Sequence, residues 1–293
     1  MNQAIKVEVQ ILNAFVDNGQ GGNPAGVVLH ADELTNTQKL KVAAGVGLSE
    51  TAFVSNSTIA DYKLDFFTPN RQIAHCGHAT IAAFSYLSQL GVLAKTNSSK
   101  ETIDGRREIL IQGDLAFMEQ KAPTYSDVST KQHLILQSLG LKKENLLPNA
   151  PISLVNTGNS FIIVPVANAE ILKNIQPDFD LIEQVSEIYD LIGYYVFTTE
   201  VDDEERDAST RMFAPRYGIL EEAGTGMAAG PLAAYFYDLL QIKKQRFLIQ
   251  QGWFMRTPSP SLILVDLTFK DEKITKIMAG GKGKSIATMI IDI

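Results

Sequence analysis

Two short stretches of this chain carry side chains that can move protons or hold anions. In the first, Glu50 stands between an apolar helix end and an apolar strand, and the turn Cys76-Gly77-His78 follows further on. In the second, Glu222 precedes the turn Gly224-Thr225-Gly226. Glu50 is expected near buried surface. There, loss of water disfavours a carboxylate's charged form and readies it to give and take a proton near neutral pH. The alternative is an ordinary surface glutamate on a loop. His78 falls at a helix start, Cys76 has the size of a small core residue, and Glu222 can simply complement a helix dipole. None of the three is decisive alone.

Other chemistries fail on spacing. His75, Cys76 and His78 suggest a metal, but no further cysteine or second ligand cluster accompanies them, so no metal is expected. Gly281-Lys282-Gly283-Lys284-Ser285 resembles the tail of a phosphate loop, yet Met278 stands where glycine is required and a strand, not a helix, is expected to follow. Gly19-x-Gly21 invites a dinucleotide reading that Pro24 defeats, because it falls where the third glycine would be.

The elements that must position these residues occur twice. Residues 64–91 open as a short strand (Leu64, Phe66, Phe67), break at Thr68-Pro69, pass through Cys76-Gly77-His78 and continue as a run that is apolar on nearly every side over 79–90. A helix apolar all round is a core helix. Its first N–H groups lack intrahelical partners and can receive an anion, and Gly77 lets a ligand approach the backbone. Residues 210–234 repeat the device: Phe213-Ala214-Pro215, then the Gly224 turn, then an Ala-rich helix from Met227. Upstream, residues 22–28 have a counterpart in 158–164, and 51–54 in 194–197. Three landmarks in one order in both halves predict two similar lobes, each wrapped around a central helix.

Elsewhere the pattern predicts strands over 5–15, with Val7, Val9 and Ile11 on one face, and over 27–29, after a turn-rich loop at 17–26. A helix is predicted over 32–44, stopped by Gly45-Val46-Gly47. A polar connection over 93–100, a hairpin of 108–111 with 115–120, and a crossing between lobes at 123–130 follow. Helices are expected over 131–139, 168–175, 179–189 and 227–240. Strand-like runs occupy 153–166 around the Gly158 turn, 247–250, 254–256, 262–269 and 286–293, and 202–207 reads as a solvated acidic loop.

At 293 residues, 45% of them hydrophobic, the chain can build two full cores. A net charge of −7 without a basic run argues against a nucleic-acid surface, while a small anion remains a fit partner for local helix N-termini. A single cysteine excludes an internal disulfide framework and fits a reducing compartment. The first residues lack a signal-peptide core and no apolar run reaches membrane-spanning length, so a soluble cytoplasmic protein is expected.

The segments GGNPAGVVL, GLSETAFV, LDFFTPNRQIAHCGHATIAA and FAPRYGILEEAGTGMAA, in this order, resemble the PhzF-like (phenazine-biosynthesis-like) family over nearly the whole chain. That family is similar in fold to diaminopimelate epimerase. The resemblance implies an α/β (α+β) protein of two pseudo-symmetric lobes, each a curled mixed sheet around a central helix, with the active site in the inter-lobe cleft. The lobes are expected at 1–122, completed by 278–293, and at 123–277. It further implies a cofactor-independent isomerase that moves a carbon-bound proton on a small carboxylate, and a homodimer. By resemblance Glu50 is the acid/base, while His78 and Glu222 complete the catalytic group by orienting the substrate. Asn23, Cys76, Gly77, Ala79, Gly224, Thr225, Gly226 and Met227 form the substrate-binding set. The chain departs from the family pattern at Glu222, where the family has aspartate, and at Met227, where it has serine. Two-thiol racemisation is unavailable, since Ala223 stands where the second cysteine would be. Two other readings stay open: a non-catalytic metabolite-binding protein on the same scaffold, and a racemase using Cys76 with one carboxylate.

Overall fold

The structure, a computed structural model, describes residues 5–93 and 95–293. Residues 1–4 of the alternating N-terminal run and Ala94 of the expected 93–100 connection lie outside the described residues. The chain forms two compact units: one of residues up to Glu119 together with Gly280–Ile293, the other of Gln120–Ala279.

The first unit contains β1 (Lys6–Ala14), β2 (Asn23–Val28), α1 (Asn36–Val46), β3 (Thr51–Ser55), β4 (Tyr62–Phe67), β5 (Gln72–Ile73), α2 (Gly77–Gln89), β6 (Asn97–Thr102), β7 (Gly105–Gln112) and β8 (Leu115–Gln120). Antiparallel β1/β2 leads to parallel β2/β3, antiparallel β3/β4, parallel β4/β6 and antiparallel β6/β7 and β7/β8. Strands β1, β2, β3 and β7 all touch α2, so the mixed sheet curls around that helix. Val7, Val9 and Ile11 of β1 pack on the other side, against Val42 and Ala43 of α1, as their alternation predicts.

Local chemistry fixes where α1 begins and stops. Thr35 and Gln38 form a capping box, a device worth about 1 kcal/mol. Gly47 ends the helix in the left-handed conformation at φ +70°, its N–H on the Ala43 carbonyl. The chain is thereby handed to Glu50 and β3. A buried ion pair, Lys39 Nζ to Asp65 Oδ2 at 2.6 Å, ties α1 to β4.

The second unit repeats this order. It begins with β9 (Thr124–Asp127) and α3 (Gln132–Ser138), followed by β10 (Ser153–Asn156), β11 (Ser160–Pro165), α4 (Ala169–Asn174), α5 (Phe179–Tyr189) and β12 (Gly193–Thr198). Then come β13 (Ala208–Ala214), β14 (Ile219–Glu222), α6 (Gly226–Asp238), β15 (Arg246–Gln251) and β16 (Ser261–Lys270). The pairing sense matches strand for strand: β10/β11 antiparallel, β11/β12 parallel, β12/β13 antiparallel, β13/β15 parallel and β15/β16 antiparallel. The three sequence landmarks fall on corresponding strands, and α6 is the buried counterpart of α2. Each unit is therefore the curled mixed sheet around a central helix that the repeat predicted.

The last strand, β17 (Lys273–Asp292), returns to the first unit. Its end runs antiparallel to β1, from Lys6 opposite Asp292 to Ala14 opposite Gly283. In the second unit β9 lies beside β10 in the same way.

Several expectations need correction. Residues 97–102 are a strand, not a polar connection: Ser98, Ser99, Lys100 and Thr102 are buried, and polar buried residues leave no hydrophobic period to read. Half of the expected crossing at 123–130 is the exposed edge strand β9. β2 starts at Asn23, inside the expected loop. Residues 254–256 are not a strand. They lie in a turn where Gly252 has φ +81° and Ser259 N–H bonds the Gly252 carbonyl at 3.0 Å. β17 begins well before residue 286, hidden by its glycines. A Cβ on Gly280 would stand 2.1 Å from the Ala116 carbonyl oxygen, so that glycine serves close strand approach.

Candidate active site

In the first unit, backbone pairing sets Glu50. Gly26 N–H donates to the Glu50 carbonyl at 3.1 Å, and Gly26 lies opposite Thr51 in the β2/β3 ladder. The fit leaves no room for a side chain, because a Cβ on Gly26 would stand 2.8 Å from Thr51 Oγ1. The Glu50 side chain is turned inward: the residue is 9% exposed, which rules out the surface alternative.

Glu50 meets the α2 turn through His78. Glu50 Oε2 lies 3.3 Å from His78 Nε2, within ion-pair reach but without hydrogen-bond alignment. On the other edge of the ring, Cys76 Sγ lies 3.6 Å from His78 Nδ1. A thiol proton donated to Nδ1 leaves the ring proton on Nε2, facing the carboxylate. Burial pushes the Cys76 thiol above its usual range, with the His78 ring opposing. Cys76 is also the N-cap of α2, and its side chain makes no cap hydrogen bond. Gly77, His78 and Ala79, the first residues of the helix, are all buried. His75 is not part of this group. Its Nδ1 lies 3.4 Å from Lys100 Nζ, and burial, then Lys100 and Arg107, hold it well below the usual histidine range.

No local motif announces Lys100. It is fully buried on β6, and among the described residues no carboxylate lies within ion-pair distance of it. Its Nζ donates to Thr80 Oγ1 at 2.6 Å and lies 5.1 Å from the Phe66 ring centroid. Thr80 in turn donates to the Cys76 carbonyl at 2.6 Å, so Lys100 braces the α2 cap through one hydroxyl. Burial pushes Lys100 down to about 7, with Cys76 and Asp104 opposing and Arg107 assisting.

In the second unit, the adjacent carboxylates of β14 part ways. Glu221 takes a bidentate pair from Arg211, Nε to Oε1 at 2.7 Å and Nη2 to Oε2 at 2.9 Å. Glu222, half-buried, accepts the Thr225 hydroxyl proton. Occupied there, Thr225 makes no side-chain cap on α6. Gln251, fully buried on β15, clamps the turn. Its Oε1 accepts from Thr225 N–H at 3.1 Å and from Tyr195 Oη at 2.9 Å, and its Nε2 donates to the Glu222 carbonyl at 2.7 Å. Met227 Sδ lies 3.5 Å from Asn159 Nδ2, and Gly224 and Gly226 are buried within the turn. Asn23, which occupies the position corresponding to Asn159 in the repeat, is buried at the start of β2 opposite Ala14. In both units, then, the strand after the central helix sends one long polar side chain back to that helix's first turn.

A sequence profile described as "Phenazine biosynthesis-like protein" matches residues 12–288. The chain belongs to the phenazine biosynthesis-like family. Among relatives of this PhzF-type protein, an uncharacterized isomerase of Clostridium acetobutylicum is 35% identical over 244 residues, 78% of this chain and 79% of that one. A trans-2,3-dihydro-3-hydroxyanthranilate isomerase of Pseudomonas chlororaphis is 28% identical over 282 residues, 93% of this chain and 95% of its own length. The crystal structure of a PhzF-family phenazine biosynthesis protein from Bacillus anthracis superposes with a TM-score of 0.88 at 27% identity, covering 99% of this chain and all (100%) of that one. Among the described residues no helix is long and apolar enough to cross a membrane.

Proposed function

We propose that this chain is an isomerase that moves a carbon-bound proton on a small carboxylate, with Glu50 as the acid/base. The observation that carries the reading is the Glu50–His78 pair at 3.3 Å, inward-facing at the uncapped start of a buried helix. The Glu50 carboxylate takes a proton from one substrate carbon while the C–H electron pair moves into the adjacent π system. The resulting acid then protonates a second carbon, so no co-reactant is consumed. His78 faces the carboxylate across 3.3 Å and helps to hold it in place. The first N–H groups of α2 suit an anion, and we assign the Gly224–Met227 turn, with Glu222, the same kind of polar-group recognition. Cys76, Gly77, Ala79 and Asn23 are assigned to substrate binding beside Glu50 and His78.

The relatives' names support isomerisation as the class. The one-cysteine racemase is less favoured, because burial of Cys76 disfavours the thiolate that such a base requires. The decisive measurement is proton-exchange NMR in deuterated water, starting with trans-2,3-dihydro-3-hydroxyanthranilate and extending to other cyclic carboxylates. The wild type is expected to exchange one carbon-bound proton, and Glu50→Gln to slow exchange by roughly 10²–10⁴-fold while still binding. Undiminished exchange in Glu50→Gln would overturn the mechanism. Binding without exchange in the wild type would favour the metabolite-binding reading.

A further inference from the structure

The sequence sets aside a metal because His75, Cys76 and His78 form an isolated trio. Folding changes the trio: His75 turns to Lys100, and Glu50 takes its place. A carboxylate oxygen of Glu50, the sulfur of Cys76 and a ring nitrogen of His78 all lie within 4.8 Å of one another. Ligands of a tetrahedral zinc ion sit about 2.0–2.3 Å from the metal, so neighbouring ligand atoms are separated by about 3.3–3.7 Å. The Sγ–Nδ1 separation of 3.6 Å and the Oε2–Nε2 separation of 3.3 Å fall in that range. They use different ring nitrogens, and a metal takes only one, so engagement requires the Glu50 carboxylate or the ring to shift by about 1 Å. Two of the three ligands are already fixed by the α2 cap, and Glu50 is the one with the most exposed side chain.

The donor set selects the ion. One thiolate, one imidazole and one carboxylate suit zinc or cobalt(II) and not magnesium or calcium, which need an all-oxygen shell. Three protein ligands with one position open differs from the closed four-ligand shell of structural zinc sites. The positive end of α2 and the buried Lys100 oppose a cation, whereas the thiolate and carboxylate together balance its double charge. The opposition points to reversible binding rather than a permanent structural metal.

We propose that Glu50, Cys76 and His78 form a reversible inhibitory site for a zinc-class divalent cation. Coordination releases the Cys76 thiol proton to solvent and occupies the Glu50 lone pair that would otherwise accept the substrate proton. Binding stands on geometry alone, while the inhibitory consequence rests on the proton-transfer role of Glu50.

The test uses the full chain, metal-free, titrated with Co²⁺. Cys76 is the sole cysteine, so a thiolate-to-cobalt charge-transfer band can only report this residue. One equivalent of Co²⁺ should produce the band and Zn²⁺ should abolish it. Cys76→Ser should remove it, and Glu50→Gln should weaken binding roughly tenfold or more. A second readout guards against misfolded variants: Zn²⁺ should slow alkylation of Cys76 by iodoacetamide in the wild type, and chelation should restore it. No band, or Co²⁺ affinity unchanged in both variants, would overturn the site. Exchange running at full rate with Zn²⁺ saturated would overturn its inhibitory role. If the metal-free protein exchanges no substrate, the isomerase reading fails instead, and the cobalt band still decides the metal site.

Discussion

Burying Lys100 without a carboxylate beside it costs the fold energy that an exposed lysine would not, because a cation out of water needs an opposite charge. The cost depends on pH. With its folded value at about 7 and its unfolded value near 10.5, the folded chain holds fewer protons than the unfolded chain between those limits. Stability is therefore expected to fall as pH drops from about 10.5 to about 7 and then to level off. Lys100→Met keeps the stem and removes the charge. It should raise the melting temperature most at and below pH 7, by the equivalent of a few kcal/mol, with the gain vanishing towards pH 10. Equal melting curves for the two proteins at pH 7 would show that the charge carries no penalty. At this scale the sequence was informative only where a motif surrounds the residue. Glu50, His78 and Glu222 stand in recognisable turns. Lys100 and Gln251 reach those turns from strands distant in sequence, and no local spacing could announce them.

The β2/β3 ladder is the element on which Glu50 depends. Gly26 is the close-contact point, and adding a methyl group there must push Thr51 and the Glu50 carbonyl together. Gly26→Ala is expected to destabilise the protein by about 1–3 kcal/mol. It should also lower exchange activity more than a matched destabilisation such as Thr35→Ala, which removes the α1 cap and leaves the ladder alone. Activity losses that merely follow the unfolded fraction in both variants would argue against a positioning role for the ladder. Element types were largely legible. The core helices declared themselves by being apolar all round, and the Gly47 stop and the Gly158 turn by glycine. Two of the failures share one cause: β6 and β9 are polar strands, the first buried and the second an edge, and neither alternates in hydropathy. The opposite error at 254–256 read an apolar residue in a turn as a strand.

For the molecule as a whole, the internal repeat was the most readable feature. Fixed-order landmarks in sequence became matching strand order and pairing sense in both units. The return of β17 to β1 was legible only through the family resemblance, since its glycines disguise a strand as a loop. Removing residues 280–293 should leave β1 without its neighbour on that side. Hydrogen exchange is expected to show lost protection in β1, β2 and α1, while β11, β12 and α6 keep theirs. Uniform loss across both units would mean that they do not behave as separate cooperative bodies. The same return imposes an order on synthesis. A ribosome adding about 5–20 residues per second delivers β1 roughly ten to fifty seconds before the residues that pair with it. In that interval nearly all of the second unit is delivered, while the half that bears Glu50 waits with one flank of its first strand open to chaperones or to wrong partners.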